Sequence, residues 1–197
     1  MPGLTLSTSI STARGILQDP DGTRYSDPDL LVYANDAVKL VSKFLPHLFH
    51  SVADVTCTAN SVLQSIAPDA AQALVEVRRI KDGAAITPAD RATLDQFIPS
   101  WRTMTAAPAV HWMPVADSPL RFELYPPAPS GQVVEVMCVR IPQEFSASEN
   151  TGLPTTLSDP IADYIIHRAE SRDAEHVLSQ RMQAFGQSFI SKLGASQ

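Results

Sequence analysis

Residues 26–46 read SDPDLLVYANDAVKLVSKFLP and contain the strongest helical pattern of the chain. Apolar side chains recur there every three or four residues, which places them on one face of an α-helix. The members of this stripe are Leu30, Leu31, Ala34, Ala37, Val38, Val41, Phe44 and Leu45. Pro46 disfavours a further helical turn, because proline restricts the residue before it. We therefore predict a helix from Asp27 to Leu45 with a buried apolar face.

The start of this helix carries a capping signal. Ser26 followed by Asp29 has the form of a capping box with Asp in place of the usual Glu. Pro28 falls in the first helical turn, where its missing N–H group costs little. Directly upstream, Asp21-Gly22 is a strong turn signal. The sequence therefore predicts a turn that feeds a capped helix.

The four aspartates of this segment also raise the question of a calcium loop. An EF-hand loop needs oxygen ligands at its first, third, fifth and last positions and a glycine at its sixth. With Gly22 at the sixth position, Leu17 stands first and Pro28 last, and neither side chain can bind a metal ion. With Asp19 at the first position, Arg24 occupies the glycine position. Both frames fail, so we interpret these aspartates as structural.

The composition describes a folded chain with an acidic charge balance. Of its 197 residues 44% are apolar and 18% are charged, and the net charge is −6. A basic groove for nucleic acid is therefore not expected. The N-terminus lacks Lys and Arg and no run of 18 apolar residues occurs, so we expect neither a signal peptide nor a membrane span. Cys57 and Cys138 match no metal-binding spacing and are expected to be small buried residues in a reducing compartment.

The middle of the chain changes to a two-residue period. Ala53, Val55 and Cys57 alternate with polar residues, which indicates a half-buried strand. We expect residues 61–66 to form its hairpin partner. The other predicted elements are strands at 74–80, 109–115, 121–125 and 132–141, a short helix at 90–97 that opens with Thr87-Pro88, and a Pro/Gly-rich connection from Pro126 to Gly131. The last strand is largely apolar on both faces, so it is expected to be central or covered by another subunit.

The C-terminal part predicts a second strong helix. Ser158 or Asp159 caps it, and Pro160 is its first residue. The segment HRAESRDAEH that follows is mostly charged, so the helix is expected to bend there or to pack its far end on something other than the chain's own core. The apolar stripe at the far end is core by default, and the sharper interpretation is a docking surface for a partner protein. The residues of this stripe are Met182, Phe185, Phe189, Ile190 and Leu193.

Together these patterns predict an α+β fold with two parts. Residues 1–52 and 155–197 form a helical core that ends in a long C-terminal helix, and residues 53–154 form a β-rich insertion. The common catalytic and nucleotide-binding motifs are absent, because the eight glycines are too dispersed for a phosphate loop and neither G-x-S-x-G, HEXXH nor C-x-x-C occurs. We therefore expect no enzymatic activity, and we assign no catalytic, cofactor-binding or metal-ligating residue.

Isolated aromatic and histidine residues receive structural interpretations. Trp101 and Trp112 are expected to be core or interface anchors, because no Lys/Arg cluster surrounds them. The histidines His47, His50 and His111 have no nearby catalytic partner in the sequence. We expect these three side chains to pack or to cap rather than to catalyse.

One charged constellation allows three interpretations. Asp163, His167 and Glu170 are spaced to share a helix face, and Asp173 and His176 follow them. Carboxylates and imidazoles on one stripe can bind Zn²⁺ or Fe²⁺. The interleaved arginines favour instead a solvated or salt-bridged face. A contact between subunits is the third interpretation.

Several short motifs follow one another in a defined order along the chain. They are Arg14 with Leu17-Gln18-Asp19, then Arg24-Tyr25-Ser26-Asp27, Leu30-Leu31-Val32-Tyr33-Ala34-Asn35-Asp36-Ala37, Leu94-Asp95 with Pro99-Ser100-Trp101, Phe122-Glu123-Leu124-Tyr125-Pro126-Pro127, and Asp163-Tyr164-Ile165-Ile166-His167-Arg168-Ala169 with Asp173. The ordered set resembles the head-to-tail adaptor (connector, head completion) proteins of tailed phages. The resemblance covers most of the chain and is strongest to the podovirus-type, tail tubular A-like adaptors, which carry a β insertion in a helical core.

The resemblance implies a structural virion protein at the head-tail junction that is made in the host cytoplasm. It implies a ring, usually of twelve copies, that binds the portal protein and a tail or nozzle protein and lets DNA pass during ejection without sequence-specific binding. It also implies that the C-terminal segment reaches the portal. The alternatives are another phage neck or tail morphogenesis protein, or a soluble α+β protein-binding module without ring assembly. A metalloprotein that uses the Asp163, His167 and Glu170 stripe is the third hypothesis.

Overall fold

The computed structural model describes residues 3–172 and 179–194. Within these residues the chain forms α-helices and two β-sheets, so the predicted α+β class is confirmed. Its backbone divides into two units. The helical unit combines Met1–Leu48 with Pro142–Gln197, and the β-rich unit is Phe49–Ile141. In the described part of the chain, none of the helices has the length and apolar character that a membrane span requires.

The helices, in chain order, are α1 (Leu6–Leu17), α2 (Asp27–Phe44), α3 (Arg91–Phe97), α4 (Ser158–Arg172) and α5 (Ser179–Gly194). The strands are β1 (His50–Thr56), β2 (Ser61–Ser65), β3 (Ala71–Ile80), β4 (Thr87–Pro88), β5 (His111–Pro114), β6 (Arg121–Ala128) and β7 (Val133–Arg140). Short 3-10 turns lie at Pro46–Phe49, Trp101–Thr103 and Thr155–Leu157. Helix α3 and the strands belong to the β-rich unit, and the other four helices belong to the helical unit.

Helix α4 lies at the centre of the helical unit, because it packs against α1, α2 and α5. Its side chains Ile161, Ile165 and Ile166 are fully buried. Burial of one such side chain contributes on the order of 2 kcal/mol, so these three residues are a major source of stability for the unit. The predicted stripe of α2 is also buried, except that Leu31 is half-buried and Phe44 at the end of the helix remains 40% exposed.

The start of α2 has the predicted cap. The Asp29 N–H donates to Ser26 Oγ at 3.3 Å, and the Ser26 hydroxyl donates to Asp29 Oδ2 at 2.8 Å. The predicted capping box with Asp at its third position is therefore confirmed. The same carboxylate oxygen accepts a bond of 2.8 Å from Arg172 at the end of α4. The cap thus also connects the first turn of α2 to the last turn of α4.

The loop before α2 is organised by one buried carboxylate, that of Asp19. It accepts backbone N–H bonds from Thr23 and Tyr25, each 2.9 Å long, and from Arg24 at 3.2 Å. The Arg14 guanidinium adds an ion pair at 3.4 Å. Asp19 is therefore satisfied by donors of its own chain, and it has the structural role predicted for this segment.

The two sheets have the strand orders β1-β7-β3 and β2-β6-β5-β4. Their inner faces share one hydrophobic cluster. It includes Cys57, Ile66, Val77, Trp112, Phe122, Leu124, Val134, Val136 and Cys138. Strand β7 is the centre of its sheet, which agrees with the first of the two alternatives predicted for it. Both cysteines are buried, as expected.

The predicted hairpin between the first two strands is wrong. Strand β1 pairs with β7 over all seven of its residues, whereas β2 pairs with β6. The two strands belong to different sheets, so the intervening residues 57–60 cross from one sheet to the other. A local alternating pattern shows which face of a strand is buried but does not select the strand with which it pairs.

Three predicted boundaries also need correction. Thr87-Pro88 does not open a helix but forms β4, which pairs in parallel with His111 and Trp112, and α3 starts after its N-cap Asp90. Strand β6 continues through the two prolines to Ala128, so the connection to β7 is shorter than predicted. Helix α4 begins at Ser158 rather than Pro160, because the preceding 3-10 turn runs directly into it.

We predict that the charge of Asp19 stabilises the fold in a pH-dependent way. The bond from the Tyr25 N–H, together with those from its neighbours, holds the pKa of the Asp19 carboxyl below its ordinary 3.8. A carboxyl with a lowered pKa in the folded chain stabilises the fold above that ordinary value and loses this contribution as the pH falls through the folded pKa. Asp19→Asn should therefore be less stable than the wild type at neutral pH, and the two should converge below pH 3.8.

Urea titrations followed by circular dichroism at a series of pH values measure the free energy of unfolding of both chains. Asp21→Asn, at an exposed neighbouring aspartate, is the matched control and should have nearly the stability of the wild type. A difference between wild type and Asp19→Asn that is the same at neutral and acid pH would contradict the proposed role of the Asp19 charge.

Candidate protein-docking site

The C-terminal region forms two helices instead of the predicted single long one. Helix α5 runs back along α4, since contacts join Met182 to His167 and Ser188 to Asp163. The two expected alternatives were a bend and packing of the far end away from the chain's own core, and the return of α5 to α4 agrees with the first. Of the charged segment at which a bend was expected, residues 173–178, including Asp173 and His176, lie outside the described part of the chain.

The charged stripe of α4 binds α5. The Asp163 carboxylate, which is buried, accepts bonds from Ser188 Oγ at 2.7 Å and from Lys192 Nζ at 2.6 Å. His167 Nδ1 lies 3.0 Å from the backbone oxygen of Met182. These polar contacts fix the position of α5 along α4, because each has a defined donor, acceptor and distance.

The third member of the stripe, Glu170, forms an ion pair of 2.9 Å with Arg181 of α5. The shared helix face predicted for Asp163, His167 and Glu170 is therefore confirmed. Of the three interpretations, the structure shows the salt-bridged face. Within residues 3–172 and 179–194, no three His, Cys, Asp or Glu side chains meet in an arrangement that could hold a metal ion.

Gly186 allows α5 to approach α4 closely. A Cβ atom at this position would lie 3.1 Å from His167 Nδ1, which is closer than an ordinary van der Waals contact. A larger residue would therefore push against the ring that contacts the Met182 oxygen. Glycine is disfavoured inside a helix, so its presence here is best explained by this approach.

The packing of α5 on α4 leaves an apolar groove beside the end of α2, which we call the α2/α4/α5 groove. Its volume is about 440 Å³. The lining residues are Leu40, Phe44, Tyr164, His167, Gln183, Gly186, Gln187, Phe189 and Ile190. Ile190 is 55% exposed, and Phe44 is the other large apolar side chain at the surface there. An open apolar groove with exposed aliphatic and aromatic side chains is typical of a protein-docking surface.

The structure divides the five predicted docking residues into three groups. Phe189 is 3% exposed and Leu193 is fully buried, so both belong to the core of the helical unit. Met182 and Phe185 are half-buried. Ile190 is exposed on the groove. The sequence pattern could not separate these groups, because all five residues recur at spacings that a helix brings near one another.

The aliphatic and aromatic groove residues that were missed as candidates are Leu40, Phe44 and Tyr164. Phe44 belongs to the stripe of α2 that otherwise forms core, and no local signal distinguishes it from its buried neighbours. Tyr164 packs on Phe189, with ring centroids 5.2 Å apart, so it connects the groove floor to the core. These residues become a site only because α2 and α5 both meet α4.

The aromatic residues of the β-rich unit are mainly structural. Trp101 is fully buried and its Nε1–H donates to Asp95 Oδ1 at 2.8 Å, and Trp112 belongs to the shared core, as expected. His111 stacks on Tyr125. His47 and His50 are exposed.

Comparison with known proteins finds a relationship that extends over nearly the whole chain. A family model described as SU10 adaptor protein matches residues 4–197. The matched range includes the helical unit, the β-rich unit and every residue of the α2/α4/α5 groove. None of the curated proteins compared with the chain matches it.

We predict that Asp163 holds α5 in place. Asp163→Ala removes the acceptor of both Ser188 and Lys192, and hydrogen bonds to a charged group contribute about 1.5–3 kcal/mol each in favourable cases. We expect a loss of about 1–3 kcal/mol in the free energy of unfolding, since Lys192 is partly exposed and can be solvated when Asp163 is removed.

The matched control is Glu144→Ala, which removes the exposed partner of Lys39. An exposed pair of this kind contributes at most about 1 kcal/mol, so the control should change stability little. Chemical denaturation of both variants measures the difference. Equal effects of the two substitutions would show that the Asp163 contacts do not stabilise the α4–α5 pair.

Proposed function

Since the chain belongs to the SU10 adaptor protein family and is thus a phage adaptor and structural virion protein, we propose that it works at the head-tail junction. It forms a ring there, binds the portal protein on one side and a tail or nozzle protein on the other, and surrounds a channel for DNA. The podovirus-type, tail tubular A-like subgroup and a ring of twelve copies are parts of the same proposal. The protein acts by binding alone and catalyses no reaction.

The observation that carries this proposal is the family match over residues 4–197, which covers both units rather than a fragment. A match of that extent relates the whole chain, with its β-rich insertion, to an adaptor. The absence of a three-residue metal cluster in the described residues agrees with a binding role but does not by itself support it.

The portal-docking surface in this proposal is the α2/α4/α5 groove. Ile190 and Phe44 present apolar area to solvent on the two sides of the groove. Removal of apolar surface from water contributes roughly 25 cal/mol per Å², and anchors of this size commonly carry most of the energy of an interface. Of the five predicted docking residues, Phe189 and Ile190 line the groove and Ile190 makes the direct contact, whereas Met182, Phe185 and Leu193 lie elsewhere on the same helix.

Ring formation requires two different surface patches on each copy, because a closed cyclic ring uses heterologous interfaces. Exposed large apolar residues occur on each unit. They are Ile16, Val32, Phe44 and Ile190 on the helical unit and Val52, Leu63, Val75, Phe97, Met104, Val110 and Ile141 on the β-rich unit. These side chains supply apolar area for neighbouring copies as well as for the portal and tail proteins.

The charge of the chain agrees with a channel through which DNA moves freely. The net charge of −6 gives a ring of many copies a strongly acidic character. A protein that binds DNA phosphates gains affinity by releasing counterions, which slows movement along the duplex. An acidic lumen avoids this attraction, so the DNA passes without sequence-specific binding.

The assembly proposal is tested by negative-stain electron microscopy of the purified protein with and without its portal. We expect rings on the portal, with a symmetry that gives the copy number directly. Failure to bind the portal under all assembly conditions, or a neck position occupied by a different protein, would contradict the proposal and favour another morphogenesis role.

The docking proposal predicts that Ile190→Asp abolishes portal binding. A carboxylate in an apolar interface must lose its hydration, which costs several kcal/mol when it has no partner. Because Ile190 is exposed, the variant should remain folded. Deletion of the whole of α5 is a poorer test, since it would remove Phe189 and Leu193 from the core.

Ala184→Asp is the matched control, because Ala184 is exposed on the same helix and lies outside the groove. We expect this variant to bind the portal with nearly wild-type affinity in a co-sedimentation assay. Full binding by Ile190→Asp, or equal loss in both variants, would exclude the groove as the specific docking site.

A further inference from the structure

Strand β1 is an open edge of the β-rich unit. It lies at the end of the strand order β1-β7-β3 and pairs with β7 without a register shift from His50 to Thr56. A regular edge strand presents a row of unpaired backbone N–H and C=O groups, and natural proteins usually block such rows. The other strand edges of this unit show how such blocking is done, and β1 shows none of these devices.

The backbone groups of β1 that point away from the sheet can be identified from the alternation of its hydrogen bonds with β7. The Cys57 N–H donates to the Gln132 oxygen at 2.8 Å, so Cys57 faces β7. In an antiparallel ladder the direction alternates from residue to residue, so the backbone groups of residues 50, 52, 54 and 56 point away from the sheet. Within the described chain, no hydrogen bond uses a backbone group of these four residues.

The opposite edge of the same sheet is protected. Strand β3 has three register irregularities, which distort its pairing and twist. The Ile80 N–H donates to the Ala84 oxygen, and the Arg78 oxygen accepts from the Ile86 N–H. These contacts occupy part of the outer row of β3, so the edge of β3 is a poorer template than that of β1.

The second sheet has no comparable open edge. Strand β4 is two residues long and contains Pro88, which has no N–H group to donate. Strand β2 is five residues long and irregular between Ser61 and Leu63. The Gln64 side chain also bonds to the backbone of Thr58 and Ser61 beside it. In the described chain, β1 is therefore the strand edge best suited to accept another strand.

The exposed side chains of β1 are complementary to those of a second β1. In the antiparallel register that places Val52 opposite Val52 of another copy, His50 lies opposite Asp54 on both sides of the two-fold axis. This register creates one apolar pair and two pairs of a histidine with a carboxylate, and such cross-strand pairs are favourable. The register that places Asp54 opposite Asp54 brings like charges together. The register between these two places the apolar Val52 opposite the charged Asp54.

We propose that two copies of the unassembled protein join through their β1 strands into one antiparallel six-stranded sheet. The strand order across the two-fold axis is β3-β7-β1-β1-β7-β3. This interface is isologous, so it differs from the heterologous contacts of a cyclic ring and belongs to the protein before it docks. The inference goes beyond the proposed adaptor function, and it would stand if the ring proposal failed.

Site-specific disulfide cross-linking tests the register. In the proposed dimer the Val52 residues form a hydrogen-bonded pair with Cα atoms about 5.5 Å apart, which is within the range of a disulfide. Val52→Cys should therefore form a covalent dimer with oxidised glutathione, seen on a non-reducing gel. Thr56→Cys is the control on the same exposed row, and it should not cross-link, because its partner lies beyond the end of the opposing strand.

The native Cys57 and Cys138 are buried. Cross-linking of the wild type under the same conditions measures their contribution as background. Reaction with a thiol reagent shows that both introduced cysteines are accessible. Equal cross-linking of the two variants, or no cross-linking of an accessible Val52→Cys, overturns the proposal.

A charge-swap experiment gives an independent readout without a new cysteine. Light scattering over a concentration series should show wild-type dimers of about twice the 21.3 kDa chain mass. His50→Asp places a carboxylate opposite the partner's Asp54 in each of the two pairs and should shift the dimer dissociation constant upward at least tenfold. The double variant His50→Asp with Asp54→His restores the two histidine–carboxylate pairs and should recover most of the loss.

The double variant also loses the ion pair between Asp54 and Lys81 of the same chain. Its free energy of unfolding is therefore not expected to exceed that of His50→Asp alone. Recovery of dimerisation therefore reports the cross-strand pair rather than the stability of the fold. A wild type that stays monomeric at every concentration, or a double variant that dimerises no better than His50→Asp alone, overturns the proposal.

Discussion

The burial of α4 on three sides is the contact on which the helical unit depends. Its isoleucines pack against α1 and α2, which come from the other end of the chain, and its polar face binds α5. Because the first and last parts of the chain must meet at α4, the intervening residues leave and return as a separate β-rich unit. The order helices, strands, helices along the sequence is thus the consequence of one packing requirement.

The polar face of α4 also decides where the candidate docking surface lies. Asp163, His167 and Glu170 contact three different points of α5 and set its position along α4. With α5 in that position, Phe189 and Leu193 enter the core while Ile190 remains at the surface. An apolar interface alone would allow α5 to slide by a turn, whereas a set of directional polar contacts does not. The groove therefore results from polar specificity as much as from apolar packing.

The sequence alone determined the elements in which local signals agree. The α2 helix was predictable because cap, apolar period and terminating proline all indicate the same segment, and the structure shows each of them. The two apolar faces of β7 predicted a strand that is either central or covered by another subunit, and the strand order β1-β7-β3 agrees with the first alternative. The adaptor relationship was also accessible from the order of short motifs, and the family match over residues 4–197 agrees with it at the level of the adaptor family.

Tertiary structure alone decided the strand partners and the exposure of the C-terminal stripe. A two-residue period tells which side of β1 is buried, yet the choice of β7 over β2 depends on residues about eighty positions away. Likewise Phe189 and Ile190 are adjacent apolar residues of one helix, and only the contacts of α5 with α4 bury the first and expose the second. A local pattern shows only which side chains of a segment favour burial. Strand pairing and exposure depend on which distant segment covers those side chains.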